Sequence, residues 1–386
     1  MYKSRLEIID EMASSIGTPL KSEDVSIVLF GDSPIEEETR PDADMVEDEV
    51  QISKAIGNYK RAIEAFPIED FSEFRKIPLS KAINEEYTLD YFIDGSIRTK
   101  YLGELINSNG TGGALMIASL GAISVRAEKN STKLIPHNSK TSLIVYMTGE
   151  LPDTTKNNIK TKLNSLNPPV AVEFLELGNA ESNIRSNAGG KARSEMHKIE
   201  IDVAKSLGTD RKWIAIDGAL RKKEFIELER TIGIAKSFGQ KVLFVRNGNY
   251  KTISHLAAMK VGERTPVYRY KSLSNYEENE ENETLEKIAF WYLRIRQPPP
   301  EMMPLGGIVK IDLAYKSDDA YDNLTRTADE LSASILRISD PSIFPRPRWP
   351  SFIYPIRVAE ECLEPLLYSK EEFMRLGISL KRVMYK

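Results

Sequence analysis

TLDYFIDGSIRTK, residues 88–100, is the stretch on which the reading of the whole chain turns. Leu89, Tyr91, Phe92 and Ile93 form an apolar run that predicts a buried strand, and the run delivers one carboxylate, Asp94, into a Gly-Ser turn. A charge at the end of a buried strand loses hydration and needs a partner. WIAIDGAL, residues 213–220, repeats the pattern and puts Asp217 at a second strand end. An Asp-Gly pair is also the ordinary signature of a turn, because both residues suit turn dihedrals. Two such pairs behind long apolar lead-ins point further, to aspartates at neighbouring strand tips, where carboxylates tolerate each other chiefly by sharing a cation.

The chain has 386 residues, 41% hydrophobic and 28% charged, which is enough for a large core in one elaborate domain or two. No apolar run is long enough to cross a bilayer. The N-terminal MYKSRLEIIDEM carries acids where a signal peptide would be apolar, so a cytoplasmic protein is expected. Cys362 is the only cysteine, which excludes an internal disulfide and a thiolate zinc cage. His137, His197 and His255 show no metal-ligand spacing, and no G-x-S-x-G elbow is present for a serine hydrolase. Oxygen ligands are therefore the expected tools of any catalysis.

The formal net charge of −4 hides a polarised chain. Residues 1–90 hold 10 Lys+Arg against 21 Asp+Glu, whereas residues 185–270 hold 18 against 9. The basic middle suits phosphate, and the acidic front suits a basic partner. Plain solvated surface is the alternative for both.

From the N-terminus, Leu6, Ile9 and Met12 predict a short amphipathic helix over 3–15, and VSIVLF at 25–30 a strand or a buried helical turn. Residues 32–49, with nine acids, one arginine and two prolines, read as a mobile acidic loop, followed by a helix over 47–66. After the Asp94 strand, NGTGG is a turn into an antiparallel meander formed by ALMIASLGAISVRAE and TSLIVYMTGE. It lacks the lysine and following helix of a phosphate-binding loop. VAVEFLEL at 170–177 is a further strand. Ala192, Met196, Ile199, Val203 and Leu207 then make the apolar stripe of a long helix ended by Gly208. Glu200 leans toward that stripe, with a salt bridge to Lys205 as its plainer role. A helix over 223–238, strands at 241–247, 288–296 and 306–315, a helix over 318–338 and a last helix from about Ile356 complete the prediction. An acidic loop is expected at 276–286.

Taken in order, FIDGS, the Glu200 helix, WIAIDGAL, GERTPVY and YPIRVAEEC resemble the NurA nuclease family over residues 88–366, with a step of 17 residues from Glu200 to Asp217. The resemblance implies an α/β fold: a ribonuclease H-like mixed sheet flanked by helices, here over 88–386. Residues 1–87 fall outside it and are expected to be an acidic, largely helical region for partner docking or dimer formation. The resemblance also implies that Asp94, Glu200 and Asp217 are catalytic and metal-holding acids, and that Tyr354 is the tyrosine of a C-terminal Tyr-Pro motif. A histidine commonly closes that motif in the family. Cys362 stands at the matching position, leaving Glu361 or its neighbour Glu360 as the candidate last ligand. Lys251, Arg264 and Arg193 are the basic residues expected on the DNA backbone. The implied activity is DNA phosphodiester hydrolysis with Mn²⁺ or Mg²⁺, by a homodimer working beside a hexameric HerA-type DNA-translocating ATPase in end processing or defence. Two other readings stand beside it: a non-catalytic DNA-binding or scaffold subunit, and a PIWI-like nuclease acting on RNA.

Overall fold

The run around Asp94 is one strand of eighteen residues, so the FIDGS stretch continues extended where a turn was expected. The computed structural model describes residues 3–29, 63–69, 73–78, 85–108, 112–127, 134–175, 184–208, 213–220, 222–236, 242–246, 249–270, 287–297, 304–315, 321–338 and 353–385. The acidic loops at 32–49 and 276–286, the middle of NGTGG and the proline-rich run before Ile353 lie outside them.

The chain opens with α1 (Arg5–Ser22), longer than expected and started by a capping box in which Ser4 and Glu7 satisfy each other's backbone. Three short strands follow, β1 (Ser26–Leu29), β2 (Ile63–Pro67) and β3 (Arg75–Lys76). The region expected to be largely helical thus supplies, among its described residues, three strands and one long helix. The helix expected over 47–66 lies outside the described residues except at its C-terminal end, residues 63–66, which belong to β2. There Ala65 is fully buried, and neighbours on both sides claim the backbone.

The predicted meander follows as β4 (Leu89–Ile106), β5 (Gly112–Ala127) and β6 (Leu134–Thr148), each antiparallel to the next. Next come α2 (Asp153–Asn164), β7 (Ala171–Leu175), α3 (Ile184–Lys205) and β8 (Trp213–Asp217), with β8 parallel to β4.

The helix expected over 223–238 is a correction. Only α4 (Lys223–Ile226) is helical, and β9 (Thr231–Ala235) is a strand parallel to β8. Thr231, Ile232 and Ile234 are β-branched and buried on both faces of the sheet, and a Cβ at Gly233 would come within 2.6 Å of Gly218 O. Pairing on both edges overrides a helical period that local sequence alone supports. The rest comprises β10 (Val242–Arg246), β11 (Asn249–Thr252), β12 (Glu263–Arg264), β13 (Tyr268–Tyr270), β14 (Ile288–Arg294), β15 (Ile308–Ala314) and α5 (Tyr321–Ile338). The single last helix is also corrected: α6 (Tyr354–Leu363) is followed by α7 (Lys370–Tyr385).

All described strands join one mixed sheet, whose main path is β11-β10-β2-β13-β14-β15-β9-β8-β4-β5-β6-β7. Alternation sorts its two faces. Leu115 and Ile117 of β5 pack with α1 and α7, and Ile123 and Val125 with Ala359 and Leu363 of α6. Met116, Ala118, Leu120 and Ala122 instead meet Ala192 and Ile199 of α3. Neighbouring residues of β4 therefore point to different layers. Phe92 shares a core with Ile356 of α6, while Ile93 shares one with α3.

Candidate active site

Gly218 has φ of +102°, a left-handed conformation suited to glycine, and it ends β8 just after Asp217. The turn is held from both sides. Gly218 N–H donates to Ile234 O at 3.0 Å, and Leu220 N–H donates to Asp312 Oδ2 at 3.2 Å. Asp312 is itself buried and paired with Lys310 at 2.6 Å.

The last β4–β8 pair is Ile93 with Ile216, so Asp94 and Asp217 are the next residues on adjacent parallel strands. Both lie on the α6 side of the sheet, with Phe92 and Ala215. Asp217 is at a strand tip as expected. Asp94 is not, because β4 runs on past the end of β8, but the level it occupies is the tip of β8 all the same.

β9 completes this corner. Asp217 pairs in register with Ile234, and Lys236, two residues on, returns to the same face, where its Nζ lies 3.0 Å from Asp217 Oδ2. Lys236 was missed in the sequence because the helix expected over 223–238 would have carried it elsewhere. From the other layer, α6 brings Glu360, whose charge acts on Asp94.

Asp94 is 6% exposed, and its carboxyl is held well above the usual aspartate range. Burial is the largest cause, the Asp217 charge adds to it, Lys236 opposes, and Glu360 and Glu200 contribute smaller upward pushes. Burial also pushes the Lys236 ammonium down, but Asp217 and Asp94 together outweigh it and hold the group more basic than an ordinary lysine. Three acids thus raise the Asp94 carboxyl, and Lys236 is the described cation that opposes them.

Glu200, 2% exposed, approaches from α3 and the opposite face. Its carboxylate lies against Gly95, the residue after Asp94, at a point where a Cβ would collide with Glu200 Oε1. The expected Lys205 bridge is replaced by His197, whose Nδ1 is 2.7 Å from Glu200 Oε2. The i, i+3 spacing of His197 and Glu200 was the sequence signal for this pair. Gly95→Ala is expected to drive the Glu200 side chain out of its seat while leaving the strand paired. Any activity that needs Glu200 should fall by about tenfold or more with a loss of ~1 kcal/mol or so in stability. Steady-state rates and a urea melt check the two halves of that expectation.

The remaining candidates do not converge on the corner. Tyr354 opens α6 at 41% exposure and lies about 120° around the helix from Glu360. Glu361 is exposed and paired with Arg357 at 2.9 Å, so Glu360 rather than Glu361 is the α6 acid that acts on Asp94. Cys362 packs half-buried against the Ile123 and Val125 cluster.

Of the expected DNA contacts, Lys251 is exposed on β11, 3.7 Å from Glu73, and Arg193 is half-buried on α3, two turns before Glu200. Arg264 is a correction. It is 0% exposed and donates to Glu69 at 2.6 and 2.8 Å and to Asp329 at 2.7 Å, so it is a core residue out of reach of DNA.

Among the described residues, no three Asp, Glu, His or Cys side chains stand close enough together to hold a metal ion as they are. The donor set nonetheless suits a hard divalent cation in kind. It consists of carboxylates, two of them buried, Asp94 and Glu200, with the Lys236 ammonium on Asp217 where a cation would be drawn.

Comparison with known protein families matches residues 89–340, well over half of the chain, to the NurA domain. The matched span includes Asp94, Glu200, Asp217 and Lys236 and ends before α6. No curated protein matches the chain.

Proposed function

The chain belongs to the NurA family of nucleases, and on that premise we propose that it is a divalent-metal-dependent deoxyribonuclease whose reaction is centred on Asp94. The observation that carries this reading is the buried Asp94 carboxyl, raised by the charges of Asp217, Glu360 and Glu200 and opposed by Lys236. A buried carboxyl raised by neighbouring acids is the arrangement that a cation-binding site provides. The strand order β6-β5-β4-β8-β9, with β8 and β9 parallel to β4, supports the ribonuclease H-like part of the reading.

Phosphodiester hydrolysis requires an activated water, neutralised nonbridging oxygens and a stabilised leaving 3′ oxygen. Mg²⁺ or Mn²⁺ would supply these when bound. Asp94 and Asp217 would hold the ions from the sheet and Glu200 from α3, with Glu360 as the α6 contributor in place of Glu361. His197 keeps the Glu200 carboxylate oriented. Tyr354 would take the role that the family motif implies only if the start of α6 came closer to the corner than it stands here. Lys251 and Arg193 would hold the DNA backbone through charge, giving affinity that falls with salt and little sequence preference. A hexameric HerA-type ATPase and a second copy of the chain are the partners that the family resemblance implies.

One observation favours the rival reading of a non-catalytic DNA-binding subunit: Lys236 already occupies Asp217. Incubation of the pure protein with linear DNA and with RNA, in Mn²⁺, in Mg²⁺ and in EDTA, decides between them. DNA cleavage with metal and none with EDTA is the expected result. Intact DNA under every condition would transfer the case to the scaffold, and preferential loss of RNA would transfer it to a PIWI-like nuclease.

A further inference from the structure

We propose that Lys236 is a further catalytic residue of this site: its ammonium shields Asp217 until a cation arrives, then engages a nonbridging oxygen of the scissile phosphate. The proposal rests on the nuclease reading above and deepens it.

Four observations carry it. The Lys236 side chain is only 13% exposed, yet it sits just past the end of β9, at the corner where β8 also ends. Lys236 Nζ bonds the one site aspartate that is itself partly open to solvent, with Asp217 at 26% exposure. Register puts it there by construction, since Asp217 lies beside Ile234 and a two-residue step returns to the same face. Finally, the charges of Asp94 and Glu360 also bear on it, so the ammonium answers to three of the acids at this corner.

Asp217 Oδ2, now bonded to the ammonium, is the oxygen that would be given up to a divalent ion, and the released ammonium would then be free to meet an incoming phosphate. The four-carbon stem of lysine allows a shift of a few ångströms without moving β9, and its compact charge suits a phosphate oxygen whose negative charge grows during hydrolysis. A structural lysine here would only tie β8 to β9, a task that the Gly218–Ile234 hydrogen bond already performs.

The two roles make opposite predictions for Lys236→Met. With the competing cation removed, calorimetric titration with Mn²⁺ alone should show binding equal to wild type or up to about tenfold tighter. At the same time kcat at saturating DNA should fall about 10²- to 10³-fold with KM little changed, and Lys236→Arg should restore part of the loss. Circular dichroism of both variants checks that they are folded. Weaker Mn²⁺ binding in Lys236→Met, or cleavage within threefold of wild type, would assign the residue to structure and overturn the proposal. Failure of the underlying nuclease reading looks different, because wild type itself would then neither cleave DNA nor take up Mn²⁺, and the proposal would fall with it.

Discussion

Asp94→Asn should abolish DNA cleavage and raise the melting temperature of the metal-free protein at pH 8. The loss of activity follows from position. Asp94 is the buried aspartate of the set, beside Asp217 in register and influenced by acids from both layers of the sheet. An amide of the same shape keeps the packing but removes the charge that would hold a cation, so a fall of about 10³-fold or more in kcat is expected.

The gain in stability follows from linkage. A carboxyl whose folded pKa is raised binds its proton more tightly in the folded chain than in the unfolded one. Stability is therefore undiminished below the ordinary value of 3.8 and declines as pH climbs from there toward the raised folded value. Asparagine carries no such penalty. Thermal melts of wild type and Asp94→Asn in EDTA should draw apart as pH is taken from 5 to 8, with the variant the more stable. A variant that cleaves DNA, or that melts below wild type at pH 8, would show that Asp94 is a structural acid and remove the centre of the proposed site.

The second large effect concerns Arg264, and it is one of stability. Its guanidinium joins three parts of the molecule: Glu69 after β2, Asp329 on α5 and its own strand β12. Asp329 in turn holds Arg75 of β3 at 2.9 Å. Glu69 also accepts Val267 N–H at 2.6 Å, so its two oxygens are committed. Burial pushes the Glu69 carboxyl up, but Arg264 and Val267 outweigh it and leave the group below the usual glutamate range.

Arg264→Met fills similar volume but leaves Glu69 charged, buried and without its cation. A loss of about 3–5 kcal/mol is expected in chemical denaturation. Glu69→Gln with Arg264→Met should recover part of that loss, because the stranded charge is gone. The pH response has the opposite sign to that of Asp94. A depressed carboxyl contributes stability above its ordinary value of 4.5 and loses it as pH falls through the folded value. Wild type should show that acid-side loss, and the double variant should lack it. DNA affinity per folded molecule should not change; a drop in affinity at unchanged stability would return Arg264 to the DNA interface.

These two residues show where sequence reading reached and where it stopped. Asp94 was legible because a long apolar run makes a following acid conspicuous, although the run concealed that the strand continues through Gly95 and Ser96. Glu200 was legible in part: the stripe of α3 turned it inward, and the i, i+3 step to His197 was there to be seen. Arg264 misled because a basic residue in a basic stretch looks like a surface charge. Its partners lie 195 and 65 residues away in the chain, beyond any local pattern. Lys236 and the choice of Glu360 over Glu361 were hidden for the same reason.

The chain taken alone therefore determined the elements whose signal is local: the three-strand meander, the helix carrying Glu200, the strand and Asp-Gly turn at Asp217, and the family that their order resembles. Period-2 and period-3.6 burial are written within a dozen residues, so they survive without knowledge of neighbours. Only the tertiary structure decided that residues 231–235 pair as a strand, that Lys236 consequently meets Asp217, and that Arg264 is sealed in the core. Each of those outcomes depends on which distant segment supplies hydrogen bonds or an opposite charge, and the free energy of a buried charge is set by what surrounds it rather than by what precedes it in sequence.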